Sequence, residues 1–110
     1  HSKFHTLYCG KSKGKKIKLN GWVQKNEYIK SIKNNLIFKI KTKGKAVNFV
    51  AESLERKPLR VKIRLNNNFI KKILINRPQL YNLIKTKCSN QKNLTVVAPK
   101  NLAIYSFSFQ

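Results

Sequence analysis

Acidic residues are nearly absent from this sequence. Its 110 residues contain 25 Lys and Arg but only 3 Asp and Glu, so the formal net charge is +22 at pH 7. Solubility alone is usually met by a net charge of about 2 to 8, and so large an excess of one sign favours a polyanionic partner. A nucleic-acid backbone is the first candidate, because each Lys or Arg that meets a phosphate releases condensed counterions.

Arginine is scarce within this basic excess. Only four of the 25 cations are arginines, and the others are lysines spread from Lys3 to Lys100. Lysine is a point charge that holds phosphate without the bidentate geometry that reads a guanine edge. The composition therefore favours binding along a backbone over recognition of base sequence.

Cysteine, methionine and long apolar runs are scarce or absent. Cys9 and Cys88 could form one disulfide, although two reduced thiols are more usual in a lysine-rich chain of this kind. No stretch approaches the ~18 apolar residues of a membrane span. A basic amphipathic membrane binder is disfavoured, because the apolar residues alternate mostly at strand spacing. The absence of methionine is compatible with a removed leader, such as an organellar presequence, or with a disordered one.

Metal-binding and catalytic patterns are missing as well. His1, His5 and Cys9 are spaced by four, which is not the paired register of a zinc site, so we predict no metal and no cofactor. The three glutamates are scattered and both histidines lie near the terminus, so general acid and base catalysis has no candidate pair. We therefore expect that the chain is not an enzyme and takes no small-molecule substrate.

The sequence does contain apolar and polar residues that alternate at period two, which predicts strands with one face in a core. The alternation is cleanest from Leu59 to Leu65, where basic residues form the other face. Asn34 and Asn35 supply turn chemistry before one of these strands. The predicted strands are residues 15–24, 36–40, 46–50, 59–65, 94–97 and 102–107.

Two segments carry helical signals. Residues 51–57 combine helix-compatible residues with two glutamates and end at Pro58, which fits one or two turns. In residues 66–92 the apolar residues after Asn68 follow helical spacing, and a helix could begin near Pro78.

Five or six short strands with little helix describe a small barrel or sandwich. Among small all-β folds that bind nucleic acid, the five-stranded OB-fold barrel is our choice. The prediction is a single RNA-binding domain of residues 1–110, with an N-terminal arm at 1–13 and a helical insertion at 66–92 before the last strand.

One known family resembles parts of this sequence. The opening of aspartyl-tRNA synthetase is similar to three runs taken in order: Tyr8-Cys9-Gly10, GKKIKLNGWVQ at 14–24 and LIF at 36–38. The tail at 94–106 is similar to the last strand of the same domain, whereas nothing in these residues resembles the catalytic domain of that class II enzyme. The resemblance implies an OB-fold that binds a tRNA anticodon, with Phe38 as a base-stacking residue and Asn48 in place of a base-contacting glutamine.

The sequence also departs from that family. Lys25, Asn26 and Glu27 stand where the family has a triple-arginine loop. Period two would turn Phe38 toward the core, so a packing role stays open beside the stacking role. For Trp22 we favour packing over base stacking.

These observations lead to a functional hypothesis. We interpret the chain as an RNA-binding structural component of a ribonucleoprotein, an organellar (mitochondrial) ribosomal protein derived from an anticodon-binding domain, with rRNA and neighbouring ribosomal proteins as partners. The alternative is a cytoplasmic or organellar tRNA-binding domain of an aspartyl-tRNA synthetase, or a trans-acting partner of that enzyme. The predicted RNA-binding residues are Lys11, Lys13, Lys15, Lys16, Lys18, Trp22, Lys25, Tyr28, Lys30, Lys33, Phe38, Lys39, Lys41, Lys43, Lys45, Asn48, Arg60, Lys62 and Arg64.

Overall fold

The computed structural model describes residues 5–110, so residues 1–4 of the predicted arm, His1 among them, lie outside the described residues. The described part of the chain is all-β, as predicted, with ten strands and no helix. It therefore contains no helix that could span a membrane. The strands are β1 His5–Tyr8, β2 Trp22–Gln24, β3 Ile29–Ser31, β4 Leu36–Thr42, β5 Ala46–Ser53, β6 Leu59–Leu65, β7 Asn68–Ile75, β8 Gln79–Lys85, β9 Lys92–Ala98 and β10 Leu102–Phe109.

The strands form two antiparallel sheets. Sheet A has six strands. Five of them follow the order β2-β3-β10-β5-β8. The sixth, β1, lies on the same side of β10 as β3: β3 pairs with the first half of β10 and β1 with the second half. Sheet B has four strands in the order β4-β9-β6-β7. Two open sheets make a β-sandwich, so the predicted five-stranded OB-fold barrel is wrong. Period-two alternation could not separate the two folds, because strands bury alternate residues in both.

The core lies between the sheets. Every second residue of β4, β5 and β6 points into it, and all of these residues are buried except the half-buried Leu65. Phe49 of β5 and Phe107 of β10 are fully buried at its centre, with ring centroids 5.8 Å apart. Phe38 stacks on Phe107 at 5.0 Å, and Trp22 packs edge-on against Phe38 at 5.9 Å. Burial of a side chain of this size contributes ~1.5–3 kcal/mol, so this ring cluster holds the two sheets together.

The predicted helical insertion at 66–92 is wrong, because this segment forms β7 and β8. Asn66 and Asn67 have positive φ angles of 50° and 69° and return the chain from β6 into β7 as a hairpin, a conformation that asparagine tolerates. The pairing with β6 then shifts register and leaves Ile70 as an extra residue in β7. Such a bulge interrupts period two, and the resulting apolar spacing imitates that of a helix.

Residues 51–57 form no helix either. The first three continue β5 to Ser53, and the rest form a turn with Arg56 at a φ of 58°. The Ser53 Oγ accepts a hydrogen bond from the Glu55 N–H at 3.1 Å, a local bond that favours turns over helices.

The other predicted strands correspond to β4, β5, β6, β9 and β10, each at the predicted place and most of them longer than predicted. The exception is the strand predicted at 15–24. Only Trp22–Gln24 is a strand there, and it follows Gly21 in a left-handed conformation with φ 87°.

Candidate functional site

A β-bulge in β10 shapes the outer face of sheet A. Ile104 and Ser106 pair with consecutive residues of β5, so Tyr105 between them is an extra residue. Bulges of this kind re-aim a side chain and often lie beside functional sites. The Tyr105 hydroxyl donates a short hydrogen bond to the carboxylate of Glu52, on the outward-facing side of β5. Tyr105 and Ser106 therefore both face the outer surface, although they are neighbours in the chain.

A second tyrosine and a second glutamate lie against Tyr105. The ring of Tyr28 meets that of Tyr105 edge-on, with centroids 5.3 Å apart. Burial raises the pKa of Tyr105, and the hydrogen bond and charge of Glu52 raise it further, with smaller effects from Tyr28 and Glu27. The Tyr105 hydroxyl is therefore a neutral, fixed donor at physiological pH.

Two loops build the rim of this surface. A Cβ added to Gly10 would lie only 2.3 Å from the carbonyl carbon of Glu27, so the backbones of the two loops touch there. The N–H groups of Lys11 and Ser12 donate hydrogen bonds of 2.9 Å to carbonyl oxygens at 25 and 26. Only glycine permits so close an approach, and the loops at 10–14 and 25–28 therefore stand side by side.

The loops and the bulge enclose a depression of about 180 Å³ on the outer face of sheet A. Tyr8 at its edge is 45% exposed, and the Nζ of Lys13 lies 5.8 Å from the centroid of that ring. We call this surface the tyrosine–glutamate site. Its members are Tyr8, Gly10, Ser12, Lys13, Glu27, Tyr28, Val50, Glu52, Tyr105 and Ser106.

The tyrosine–glutamate site gathers the residue types that are rare elsewhere in the chain. It holds three of the four tyrosines and two of the three acidic residues. Its only cationic member is Lys13, so it is close to neutral within a chain of net charge +22. The site thus offers aromatic rings, carboxylate acceptors and hydroxyl groups to a ligand that needs no counter-charge.

Gln24 holds the segment that leads to the site. Its Nε2 donates to the carbonyl oxygens of Cys9 and Lys15, both at 2.9 Å, and its Oε1 accepts from the N–H of Ile17 at 3.0 Å. One side chain therefore satisfies three backbone groups that a strand would otherwise pair. The backbone groups of Lys15 and Ile17 thus have hydrogen-bond partners although neither residue belongs to a sheet.

The two cysteines differ in their surroundings. Both are free thiols, with Cys9 buried and Cys88 exposed. Burial raises the pKa of the Cys9 thiol to about 12, so this thiol is protonated at neutral pH. Residues 5–110 contain no group of three His, Cys, Asp or Glu side chains that could hold a metal ion.

Two of the predicted RNA-binding aromatic residues are in the core. Trp22 is 7% exposed and donates its Nε1–H to the carbonyl oxygen of Ile37 at 3.2 Å. Phe38 is 6% exposed. Neither ring presents a face for a base, because the alternation of β2 and β4 turns both inward. Asn48 is on the outer face of sheet A, where its Oδ1 accepts from the Nδ2 of Asn82 at 2.9 Å.

The other predicted residues divide among three regions. Lys13, Tyr28 and the half-buried Lys30 are on the side of sheet A. The structure brings five together on the outer face of sheet B: Lys39, Lys41, Arg60, Lys62 and Arg64. Exposed loops and turns carry the rest: Lys11, Lys15, Lys16, Lys18, Lys25, Lys33, Lys43 and Lys45.

Of the ten members of the tyrosine–glutamate site, only Lys13 and Tyr28 were candidates from the sequence. The missed members include all of its carboxylates and two of its three tyrosines: Tyr8, Glu27, Glu52 and Tyr105. The glutamates are scattered along the chain, and a bulge cannot be placed from alternation. The sequence did offer one signal of a functional site, namely the scarcity of acidic residues. In a chain with only three of them, each one is a candidate for a specific role.

The fold defines this chain as an antiparallel β-sandwich domain, and solved structures of the same class are similar to it. A family two carbohydrate esterase from Cellvibrio japonicus superposes with a TM-score of 0.80 at 10% identity, over 97% of this chain and 33% of that one. The family two carbohydrate esterase from Clostridium thermocellum in complex with cellohexaose gives 0.73 at 11% identity, over 96% and 31%. The CBM36-1 domain of a multidomain xylanase from the hindgut metagenome of Trinervitermes trinervoides gives 0.58 at 10% identity, over 98% and 97%.

The chain spans about a third of the length of these esterases. At such identities the likeness concerns the fold. The sequence matches the thioredoxin-like C-terminal domain family over residues 3–109, so the chain belongs to that family. No curated protein sequence is significantly similar to it.

These findings correct the functional hypothesis drawn from the sequence. The resemblance to aspartyl-tRNA synthetase is wrong, because family membership and fold both differ from an anticodon-binding domain. The motifs behind it have structural roles: Gly10 permits the loop contact and Gly21 makes a left-handed turn. The RNA-binding ribosomal role, its tRNA-binding alternative and the partners rRNA, tRNA and ribosomal proteins are overturned with it. The organellar location stays a prediction.

Proposed function

We propose that this domain is a non-catalytic glycan-binding module and that the tyrosine–glutamate site holds neutral sugar rings. The observation that carries the proposal is a cluster of three tyrosines and two glutamates in a chain with almost no acidic residues. Tyr8, Tyr105 and Glu27 line the depression, while Tyr28 and Glu52 contact Tyr105. The similarity in fold to a carbohydrate esterase in complex with cellohexaose and to a domain of a xylanase supports the same class of ligand.

The chemistry of a sugar ring matches the groups of the site. A pyranose has an apolar C–H face, which packs against an aromatic ring, and a rim of hydroxyls that donate and accept hydrogen bonds. Tyr8 provides an accessible ring at the edge of the depression. The carboxylates of Glu27 and Glu52 accept from sugar hydroxyls, and the oxygen of Tyr105 can accept while its proton is held by Glu52.

Two groups at or beside the site, the Cys9 thiol and the Tyr105 phenol, are held in their protonated forms. The Cys9 thiol is protonated because burial raises its pKa to about 12. The Tyr105 phenol is protonated because burial and Glu52 raise its pKa. A protein nucleophile requires a lowered pKa or an adjacent base that removes its proton, and the Cys9 thiol has neither.

Isothermal titration calorimetry with neutral hexaoses, cellohexaose and xylohexaose among them, tests the proposal. We expect binding of at least one of them, and a loss of roughly tenfold in affinity for Glu52→Gln, because one charged acceptor is removed. Tyr8→Ala should lose a similar amount through its ring face.

A matched control uses the third acidic residue. Glu55→Gln makes the same change of charge, but Glu55 lies in the turn after β5, where it accepts a hydrogen bond from the Asn101 Nδ2 at 2.8 Å. Its affinity should equal that of the wild type. The proposal is refuted if no neutral hexaose binds, or if Glu52→Gln and Glu55→Gln weaken binding equally.

A further inference from the structure

The outer face of sheet B carries a cluster of positive charge. Alternate residues of β4, β6 and β7 place six exposed cations on it, and none of the three glutamates lies on this sheet. We call this surface the basic face. Its cations are Lys39, Lys41, Arg60, Lys62, Arg64 and Lys72.

The sheet register holds these cations next to one another. Lys62 lies directly opposite Lys72, and Lys39 and Arg64 lie on either side of Thr95. Neighbouring strands are ~4.8 Å apart, and like charges in opposite positions destabilise a sheet. A row of anionic groups along this face would remove that repulsion, whereas the protein itself supplies no acidic side chain there.

Neutral polar groups lie among the cations. A depression of about 380 Å³ opens on the basic face between β4, β9 and the turn from β6 to β7. Asn66 fixes that turn, because its Oδ1 accepts from the Asn93 N–H at 2.9 Å and its own N–H donates to the Asn93 carbonyl at 2.8 Å. The side chains that line the depression include Lys39, Lys41, Asn67, Asn93 and Thr95.

We propose that the basic face binds an acidic polysaccharide, a glycan whose rings carry carboxylate or sulfate groups. Ammonium and guanidinium groups pair with the anionic substituents. The amides of Asn67 and Asn93 and the hydroxyl of Thr95 bond to the uncharged hydroxyls of the same chain. This combination of charge and neutral hydrogen-bonding groups is what an acidic sugar requires. The inference concerns a second surface and does not depend on the tyrosine–glutamate site.

The same face lacks the row of aromatic rings on which the bases of a single-stranded nucleic acid stack. Single strands are bound by several aromatic rings on which successive bases stack. Among the described residues of the basic face, Phe69 at the edge of the sheet is the only aromatic one, 55% exposed and opposite Arg64. One ring at an edge gives no continuous platform on which bases could stack.

The test compares two variants that lose the same charge. The triple variant Lys39→Gln, Lys62→Gln, Arg64→Gln removes three cations from the basic face, and Lys15→Gln, Lys18→Gln, Lys33→Gln removes three exposed cations elsewhere. Binding to polygalacturonate, dextran sulfate and uncharged dextran is measured by calorimetry, together with the unfolding free energy of each variant. All six positions are exposed, so both variants should fold.

We expect the wild type to bind polygalacturonate, dextran sulfate or both, and to ignore dextran. The two anionic polymers distinguish carboxylate from sulfate as the recognised group. The basic-face variant should lose roughly tenfold or more in affinity, and the control variant less than about threefold. Equal losses in the two variants would mean attraction to the overall charge and would overturn the proposal. Absence of binding to both anionic polymers, or tighter binding of a single-stranded oligonucleotide through the same three residues, would overturn it too.

Discussion

The two outer faces of this sandwich differ in almost every property. The face of sheet A contains the near-neutral tyrosine–glutamate site, enclosed by loops, with aromatic rings and carboxylates. The face of sheet B is open and carries six cations without an acidic residue. The net charge of +22 is thus distributed unevenly between the two faces. The composition of the whole chain therefore describes the charge of neither surface.

The faces also differ in how the chain builds them. Strict alternation along β4 and β6 produces the basic face. The tyrosine–glutamate site depends on exceptions to alternation, namely the bulge at Tyr105 and the close backbone contact at Gly10. If this difference in construction reflects a difference in function, the two surfaces should respond separately to salt, to mutation and to pH.

The largest difference between the two faces is expected in the salt dependence of their binding affinities. Charges on an exposed sheet are screened, and a polyanion that loses several ionic contacts should bind roughly 100-fold more weakly at about 200 mM than at about 50 mM salt. Binding of a neutral hexaose should change less than about twofold, because no net charge is neutralised. Calorimetry at a series of salt concentrations measures both. Equal salt dependence of the two ligands would contradict the separation.

Gly10→Ala should abolish hexaose binding at the tyrosine–glutamate site and leave polysaccharide binding at the basic face unchanged. The new methyl group would clash with the backbone of Glu27, and forced overpacking of this kind costs ~1–3 kcal/mol. We expect a lower unfolding free energy in denaturant and loss of hexaose binding, because the two loops of the rim must separate. Binding of acidic polysaccharide to the folded variant serves as the internal control and should be unchanged. Retained hexaose binding at full strength would show that the loop contact does not shape the site.

The smallest effect is expected from the alkaline titration of Tyr105. Its pKa is raised in the folded chain by burial and by Glu52, so its contribution to stability is complete below the unfolded value of about 10 and is lost as pH rises through the folded value. The stability difference between the wild type and Tyr105→Phe should therefore shrink above about pH 10. In Glu52→Gln, absorbance of the phenolate should appear at lower pH than in the wild type. An unchanged titration in that variant would contradict the role assigned to Glu52.

Much of the strand architecture could be predicted from the sequence, because alternation has a direct physical cause. In β6, Val61 and Ile63 must share one face and Arg60, Lys62 and Arg64 the other, and the structure agrees. The number of sheets could not be predicted in this way, since a barrel and a sandwich bury the same alternate positions. The segment around Ile70 was misjudged because a bulge changed the apolar spacing.

The candidate site was less predictable than the fold. Glu27 and Glu52 are separated along the chain, and both come near Tyr105 only through the pairing of β10 with its neighbours on both sides. Tyr8 was noticed as part of a motif, and its position opposite Ser106 follows from a strand pair at the start of the chain. Tertiary pairing of distant segments creates this site, and local sequence patterns do not predict which of these segments come together.

Backbone amide chemical shifts during a titration with cellohexaose test the central claim most directly. If neutral glycans bind the tyrosine–glutamate site, the amides of Gly10, Ser12 and Ser106 should shift, with those of Glu27 and Tyr105, while the amides of β4 and β6 stay in place. Shifts confined to sheet B, or no shift at any amide when the glycan is in large excess, would contradict the account.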